Sequence, residues 1–159
     1  MNRIDKIRKN LKFIKYIELN SYYEKERIYC KHDITHVIDT SRIMYIISLE
    51  ENLGFHKSII YACGLLHDIG KWNQYKDGSP HEISGAYFAE EILKQCDFKD
   101  YEISEIVNAI KNHREDKGEV NSLSNLLYRG DKLSRQCYSC LHKKTCKWSC
   151  HKKNLVIKY

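Results

Sequence analysis

Apolar residues recur along this chain at intervals of three and four, with polar residues filling the opposite face. Ile4, Ile7, Leu11, Ile14 and Ile17 form the first such stripe, the spacing of a helix that buries one side. The tract ITHVIDTSRIMYIISLEENLG, behind Asp33 as N-cap and ahead of Gly54 as a stop, predicts a second helix. Residues 56–69 predict a third, with Gly70 as a left-handed residue after it and Lys71 facing its negative end. KWNQYKDGSPHE then breaks the pattern, and Ser79, Pro80 and Glu82 supply a capping-box serine, a first-turn proline and the reciprocal glutamate. A fourth helix therefore starts near residue 80. A fifth, YEISEIVNAIKNHR, follows Asp100 and buries Ile103, Ile106, Val107 and Ile110, and EDKGEVNS is the loop that ends it. The sixth runs from about Asn121 to Gln136 over Leu123, Leu126 and Leu127. With no convincing alternating stretch longer than a few residues, the expected fold is an all-α bundle of about six helices.

Composition agrees. The 159 residues, 42% hydrophobic and 30% charged, suit one globular domain, and one proline with seven glycines favours helices. No apolar run approaches the roughly 18 residues that span a bilayer. The opening MNRIDKIRKNLKFIKYIELN mixes lysines with isoleucines instead of forming a signal-peptide core, so a cytoplasmic protein with no membrane partner is expected. Charge is uneven: residues 132–159 carry eight Lys/Arg and no acid, residues 1–16 carry six Lys/Arg and one Asp, and the body between is net acidic. That pattern does not suit a uniformly basic nucleic-acid binder; a basic tail beside an acidic body can attract phosphates, but solvated lysines on exposed faces are the favoured explanation. The division expected is a helical domain over 1–136 and a basic, Cys-rich tail over 137–159 packed on it.

Several polar residues extend apolar stripes by one turn. His36 lies in line with Thr40, Ile43 and Ile47; His67 follows Ile60 and Cys63; His113 follows Ile106 and Ile110; Asp131 follows Leu123 and Leu127. His81 falls in the first turn of the fourth helix. A single buried imidazole needs only a hydrogen-bond partner. An ionised carboxylate on a leucine face is costly unless a cation or several donors meet it. One metal centre in the middle of a bundle explains the whole set more economically than separate accidents.

In order and helix context, His36, the His67-Asp68 doublet and Asp131 in YRGDKLSR resemble the H…HD…D signature of HD-domain metal-dependent phosphohydrolases. The resemblance spans about residues 30–136. His81 and His113 match the two extra histidines of dinuclear members, and LLHDIGK, SPHEISGAYFAEEIL and IVNAIKNH are similar to segments of dinuclear subgroups that include bacterial diadenosine tetraphosphate hydrolases. No second histidine adjoins His113 and no GYP sequence occurs, which disfavours the cyclic-di-GMP phosphodiesterase branch. The resemblance implies that His36, His67, Asp68 and Asp131 hold one metal, and that Asp68 bridges to a second held by His81 and His113. Such a donor set suits Fe, Mn, Co, Ni or Zn, and two ions could share a hydroxide that attacks phosphorus. Lys71 is the candidate to contact substrate phosphate, or else a helix-end lysine; Arg114, Lys132 and Arg135 are weaker candidates. His32 is either a neighbour that orients a ligand or an exposed residue.

QCYSCLHKKTCKWSC sets Cys137, Cys140, Cys146 and Cys150 in a C-x2-C-x5-C-x3-C array, which predicts a structural zinc, with an iron–sulfur cluster or unliganded thiols as alternatives and His142 or His151 as substitutes. Cys63 reads as core packing. The expected function is a phosphohydrolase of a nucleotide, dinucleoside polyphosphate or other small phosphate ester, with Asp68 and Lys71 as its catalytic residues. The alternatives are a di-iron HD-type oxygenase and a non-catalytic metal-binding module that contacts nucleic acid or a partner through the tail.

Overall fold

A computed structural model describes residues 2–114 and 119–159; the part of the expected EDKGEVNS loop over 115–118 lies outside them. The fold is all-α, with eight helices among the described residues: α1 (Arg3–Lys9), α2 (Leu11–Tyr23), α3 (Ile34–Glu50), α4 (Lys57–Leu66), α5 (Lys71–Asp77), α6 (His81–Lys94), α7 (Asp100–Asn112) and α8 (Leu123–Leu133). A short 3-10 turn, Cys150–Lys152, lies in the tail. α3 packs on α4 and α8, α6 on α7, and α7 also on α8 and α4. Their inward stripes, including Met44, Ile60, Leu66, Ile92, Ile106 and Leu126, form one fully enclosed core.

The two helices beyond the expected six arise from local chemistry. Asn10 divides the first stripe: it is extended (φ −68°, ψ 127°), ends α1, and its side chain caps α2 by accepting from Lys12 N at 2.9 Å. The segment expected to be irregular contains α5, because tertiary contacts fix it. Trp72 packs against the Tyr16 and Phe88 rings, with centroids 6.0 and 5.8 Å away, and its backbone N–H donates to Asn20 Oδ1 at 2.8 Å. Gly78, at φ 83°, ends α5.

Other boundaries are corrected as well. Gly70 is not left-handed (φ −88°); it is needed for space, since a Cβ there would lie 2.5 Å from both Gly85 N and the His81 carbonyl oxygen. Ser79 does not cap α6, which follows Pro80 directly. Asp100 falls inside α7, whose start is fixed by Glu102 accepting from Lys99 N at 2.8 Å and from Arg3 at 2.6 Å. α3 begins as expected, with Asp33 accepting from His36 N at 3.1 Å, and ends at Glu50, before Gly54. α8 is shorter than expected, capped by Ser122 through Asn125 N at 3.1 Å.

Candidate metal centre

Helix ends deliver the polar residues to one point. His36 stands in the first turn of α3, His67 and Asp68 form the corner after α4, His81 opens α6, His113 directly follows α7, and Asp131 lies in the last turn of α8. Close helix approach makes the convergence possible: a Cβ on Gly130 would meet Met44 Cγ at 2.3 Å, so α8 rests on α3 beside Asp131 and His36. Asn20 fixes the His67-Asp68 corner by donating to the carbonyls of Asp68 (2.9 Å) and His32 (3.2 Å) while accepting from Trp72 N.

The side chains form two groups that share Asp68. Asp68 Oδ2 lies 3.1 Å from His67 Nε2 and 3.4 Å from His36 Nε2, and Asp131 Oδ1 lies 3.4 Å from the same His36 atom. Asp68 Oδ1 lies 3.3 Å from His81 Nε2 and 3.7 Å from His113 Nε2. Neighbouring donors bound about 2.0–2.2 Å from one cation stand roughly 3.0–3.5 Å apart, the range most of these pairs occupy. Among the described residues, His36/His67/Asp68/Asp131 and Asp68/His81/His113 are the two sets close enough to hold an ion.

Hydrogen bonds on the far side of each ring aim the donor atoms inward. His67 Nδ1 donates to Gly64 O at 2.7 Å and His113 Nδ1 to Ile110 O at 2.6 Å, which leaves Nε2 as the lone-pair atom. His81 Nδ1 meets Gln74 Oε1 at 2.7 Å. Ser134, whose hydroxyl donates to the Asp131 carbonyl at 2.8 Å, faces His36 Nδ1 at 3.3 Å. His36 Nε2, His67 Nε2 and Asp68 Oδ1 are buried with no hydrogen-bond partner in the protein. Buried polar atoms without partners are rare and costly, and cations bound by both groups satisfy all three. The donor set fits, and the site is a dinuclear His/Asp metal-binding centre.

Electrostatics reflect the concentration of charge. Burial raises the pKa of Asp68 and Asp131, but the histidines around Asp68, and His36 with Arg135 beside Asp131, outweigh it and hold both well below the carboxylate range. Burial would lower His36, yet Asp131 and Asp68 raise it to about 9. Burial lowers Lys71 against the pull of Asp68 and Asp131.

The centre opens into a cavity of about 400 Å³ whose lining includes Lys71, Arg114, Lys132 and Arg135. All four residues singled out for phosphate contact therefore reach it. Lys71 Nζ lies 3.4 Å from His81 Nε2, Arg114 pairs with Glu82 at 3.1 Å, and Arg135 pairs with Asp131 at 3.1 Å. Sequence reasoning left His32 undecided and passed over Glu24. His32 is buried, its Nδ1 is 2.5 Å from Glu24 Oε1, and Tyr75 donates to the same carboxylate at 2.6 Å. Burial opposes ionisation of Glu24, but these bonds keep its pKa low.

Among the described residues the tail thiols join neither group: Cys137 is buried, Cys140 and Cys146 are half-buried and Cys150 is exposed. Other contacts set the path of this segment: Trp148 packs on Arg135, and Asn154 donates to the carbonyls of Lys132 and Arg135 at 2.7 and 2.9 Å.

The HD domain family matches residues 33–136, the span that carries all six converging residues. The chain belongs to the HD-domain family. The crystal structure of a predicted HD superfamily hydrolase from an uncultured Thermotogales bacterium shows the same fold, with a TM-score of 0.63, 20% identity, and coverage of 89% of this chain and 81% of that one. An uncharacterized protein of Clostridium beijerinckii is 44% identical over 159 residues, the full length of both chains. Ribonuclease Y of Lactobacillus gasseri is 30% identical over 106 residues, which is 67% of this HD-domain chain but 18% of that enzyme. Metal-dependent hydrolysis is the activity typical of this superfamily. No helix among the described residues is long and apolar enough to cross a membrane.

Proposed function

We propose that this HD-domain protein hydrolyses a phosphoester or phosphoanhydride bond of a nucleotide, a dinucleoside polyphosphate or another small phosphate ester. The observation that carries this reading is the division of Asp68: each oxygen faces a different ligand group, and the cavity above is lined by cationic side chains. Fe, Mn, Co, Ni and Zn all suit the donors. When bound, a pair of such ions supplies an activated water and neutralises charge on phosphoryl oxygens.

The chain's own residues do the rest. Lys71, on the cavity wall beside His81, and Arg135, half-neutralised by Asp131, give a phosphate positive partners in a partly dry site, where each is worth more than in water. Arg114 extends that rim beyond Glu82. Glu24 fixes the Nδ1 side of His32, so that Nε2 faces the centre 3.9 Å from Asp68 Oδ2, a position from which it can hold or pass a proton. Likeness to an enzyme named ribonuclease Y supports including phosphodiesters among the bonds attacked.

The test is phosphate or nucleotide release from a panel of esters by protein purified without chelators. Release should vanish with a chelator and in Asp68→Ala protein whose helical circular dichroism is unchanged. Substrate-dependent oxygen uptake by an iron-loaded preparation, without release, would replace this reading with oxidation; salt-sensitive RNA or DNA binding with no turnover would replace it with a binding module.

A further inference from the structure

The walls of the metal cavity are mostly imidazoles, carboxylates and cations, and against them stands the indole of Trp148. It comes from the tail, beyond the residues that the HD family matches. Its ring meets cations: Arg135 Cζ lies 4.4 Å from the ring centroid and Lys132 Nζ 5.8 Å. Those two side chains are also the cationic partners of Asp131, so Trp148 is one side chain removed from a metal donor.

The tail is fixed on both sides of the ring. Tyr29 hydroxyl donates to the Thr145 carbonyl at 3.2 Å, and Asn154 reaches back to the end of α8. Between these anchors the chain reads CKWSCHKK, with little else apolar to pack. An indole serving only a core would be enclosed by aliphatic neighbours; this one is half-buried, backed by a guanidinium, and part of the lining of a cavity of about 400 Å³, which has room for more than a phosphate group. An aromatic face beside a cationic phosphate site is a platform for a nucleobase, which stacks whatever its identity, and the guanidinium strengthens the assembly.

We propose that Trp148 is the base-stacking, specificity-determining residue of this site, so that the ligand is a phosphate compound bearing a nucleobase instead of a sugar or alkyl phosphate. The kinetic part of this inference rests on the phosphohydrolase reading; the binding part does not.

Trp148 and Trp72 are the two tryptophans of the chain, and Trp72 is occupied in the stack with Tyr16 and Phe88. AMP titrated into the zinc-loaded full-length protein should quench indole emission, glycerol 3-phosphate should not, and the AMP effect should disappear in Trp148→Phe. In turnover, Trp148→Ala should raise KM for nucleotides about tenfold or more with kcat within about twofold, and leave a ring-free ester unaffected. Trp148→Phe, which keeps a ring on Arg135, should recover most of that loss. Absence of quenching in the wild type, quenching that persists in Trp148→Phe, or equal losses for nucleotide and ring-free ester would each overturn the proposal. If no ester is hydrolysed but Trp148-dependent quenching by AMP is seen, the base site stands and the hydrolase reading falls.

Discussion

Gly70 lies against the backbone of His81: a Cβ on Gly70 would stand 2.5 Å from the His81 carbonyl oxygen. This contact sets the distance between the corner that bears Asp68 and the first residue of α6. Gly70→Ala has no room, since backbone and not a movable side chain occupies the space. Overpacking of this kind costs about 1–3 kcal/mol, and the shift should separate His81 from Asp68 Oδ1. The expected result is a lower Tm together with loss of about one bound ion per chain by elemental analysis. A variant with wild-type Tm and metal content would show that the contact is not rigid.

Because Asp68 contributes an oxygen to each ligand group, its removal should differ in kind from loss of a residue confined to one group. Asp68→Ala should empty both positions and abolish hydrolysis. His113→Ala should leave the ion of the His36 group in place and lower activity without altering that occupancy. Elemental analysis of both variants beside the wild type distinguishes shared from separate ligation, and equal stoichiometry in the two would refute the bridging role.

His36, His67, His113 and Asp131 were legible in the sequence because each occupies a position where the helical stripe calls for an apolar residue. Of the helix ends that carry them, the start of α3 behind Asp33 matches the expected boundary, whereas α7 and α8 end before the expected residues. Glu24 carried no such mark: it is one charge in a charged run, YYEKE, and becomes buried only because His32 and Tyr75 fold over it. α5 was missed for a similar reason, since its order derives from Trp72 meeting Tyr16 and Phe88, partners distant in sequence. In the tail, ring–cation packing of Trp148 and the Asn154 amide hold the segment on α8, contacts that cysteine spacing does not reveal.

Asn20 is fully buried and pairs three backbone groups at once: the carbonyls of His32 and Asp68 and the N–H of Trp72. Asn20→Ala leaves all three without that partner inside the bundle. A buried polar group deprived of its hydrogen bond costs about 1–3 kcal/mol, so a loss of at least about 2 kcal/mol is expected in urea unfolding. Metal affinity should fall too, because the Asp68 corner loses its tether. Asn20→Asp should be no rescue, since a carboxylate cannot donate to the two carbonyls.

Protons and metal compete for His36, and the direction follows from its surroundings. Burial disfavours the imidazolium, but the carboxylates of Asp131 and Asp68 prevail and raise the pKa to about 9 in protein stripped of metal. A raised folded pKa means that protonation stabilises the stripped protein: that contribution is complete below the unfolded value of about 6.5 and is lost as pH rises through about 9. Metal needs the neutral ring, so loading at pH 7.5 must expel the proton. Adding zinc to stripped protein in weak buffer with an indicator dye should therefore release close to one proton from this group, and apparent affinity should climb by up to about tenfold per pH unit until pH 9. In His36→Gln the released proton should be missing while the His81/His113 position still binds. Proton release unchanged by that substitution would show that His36 is already neutral in the stripped protein.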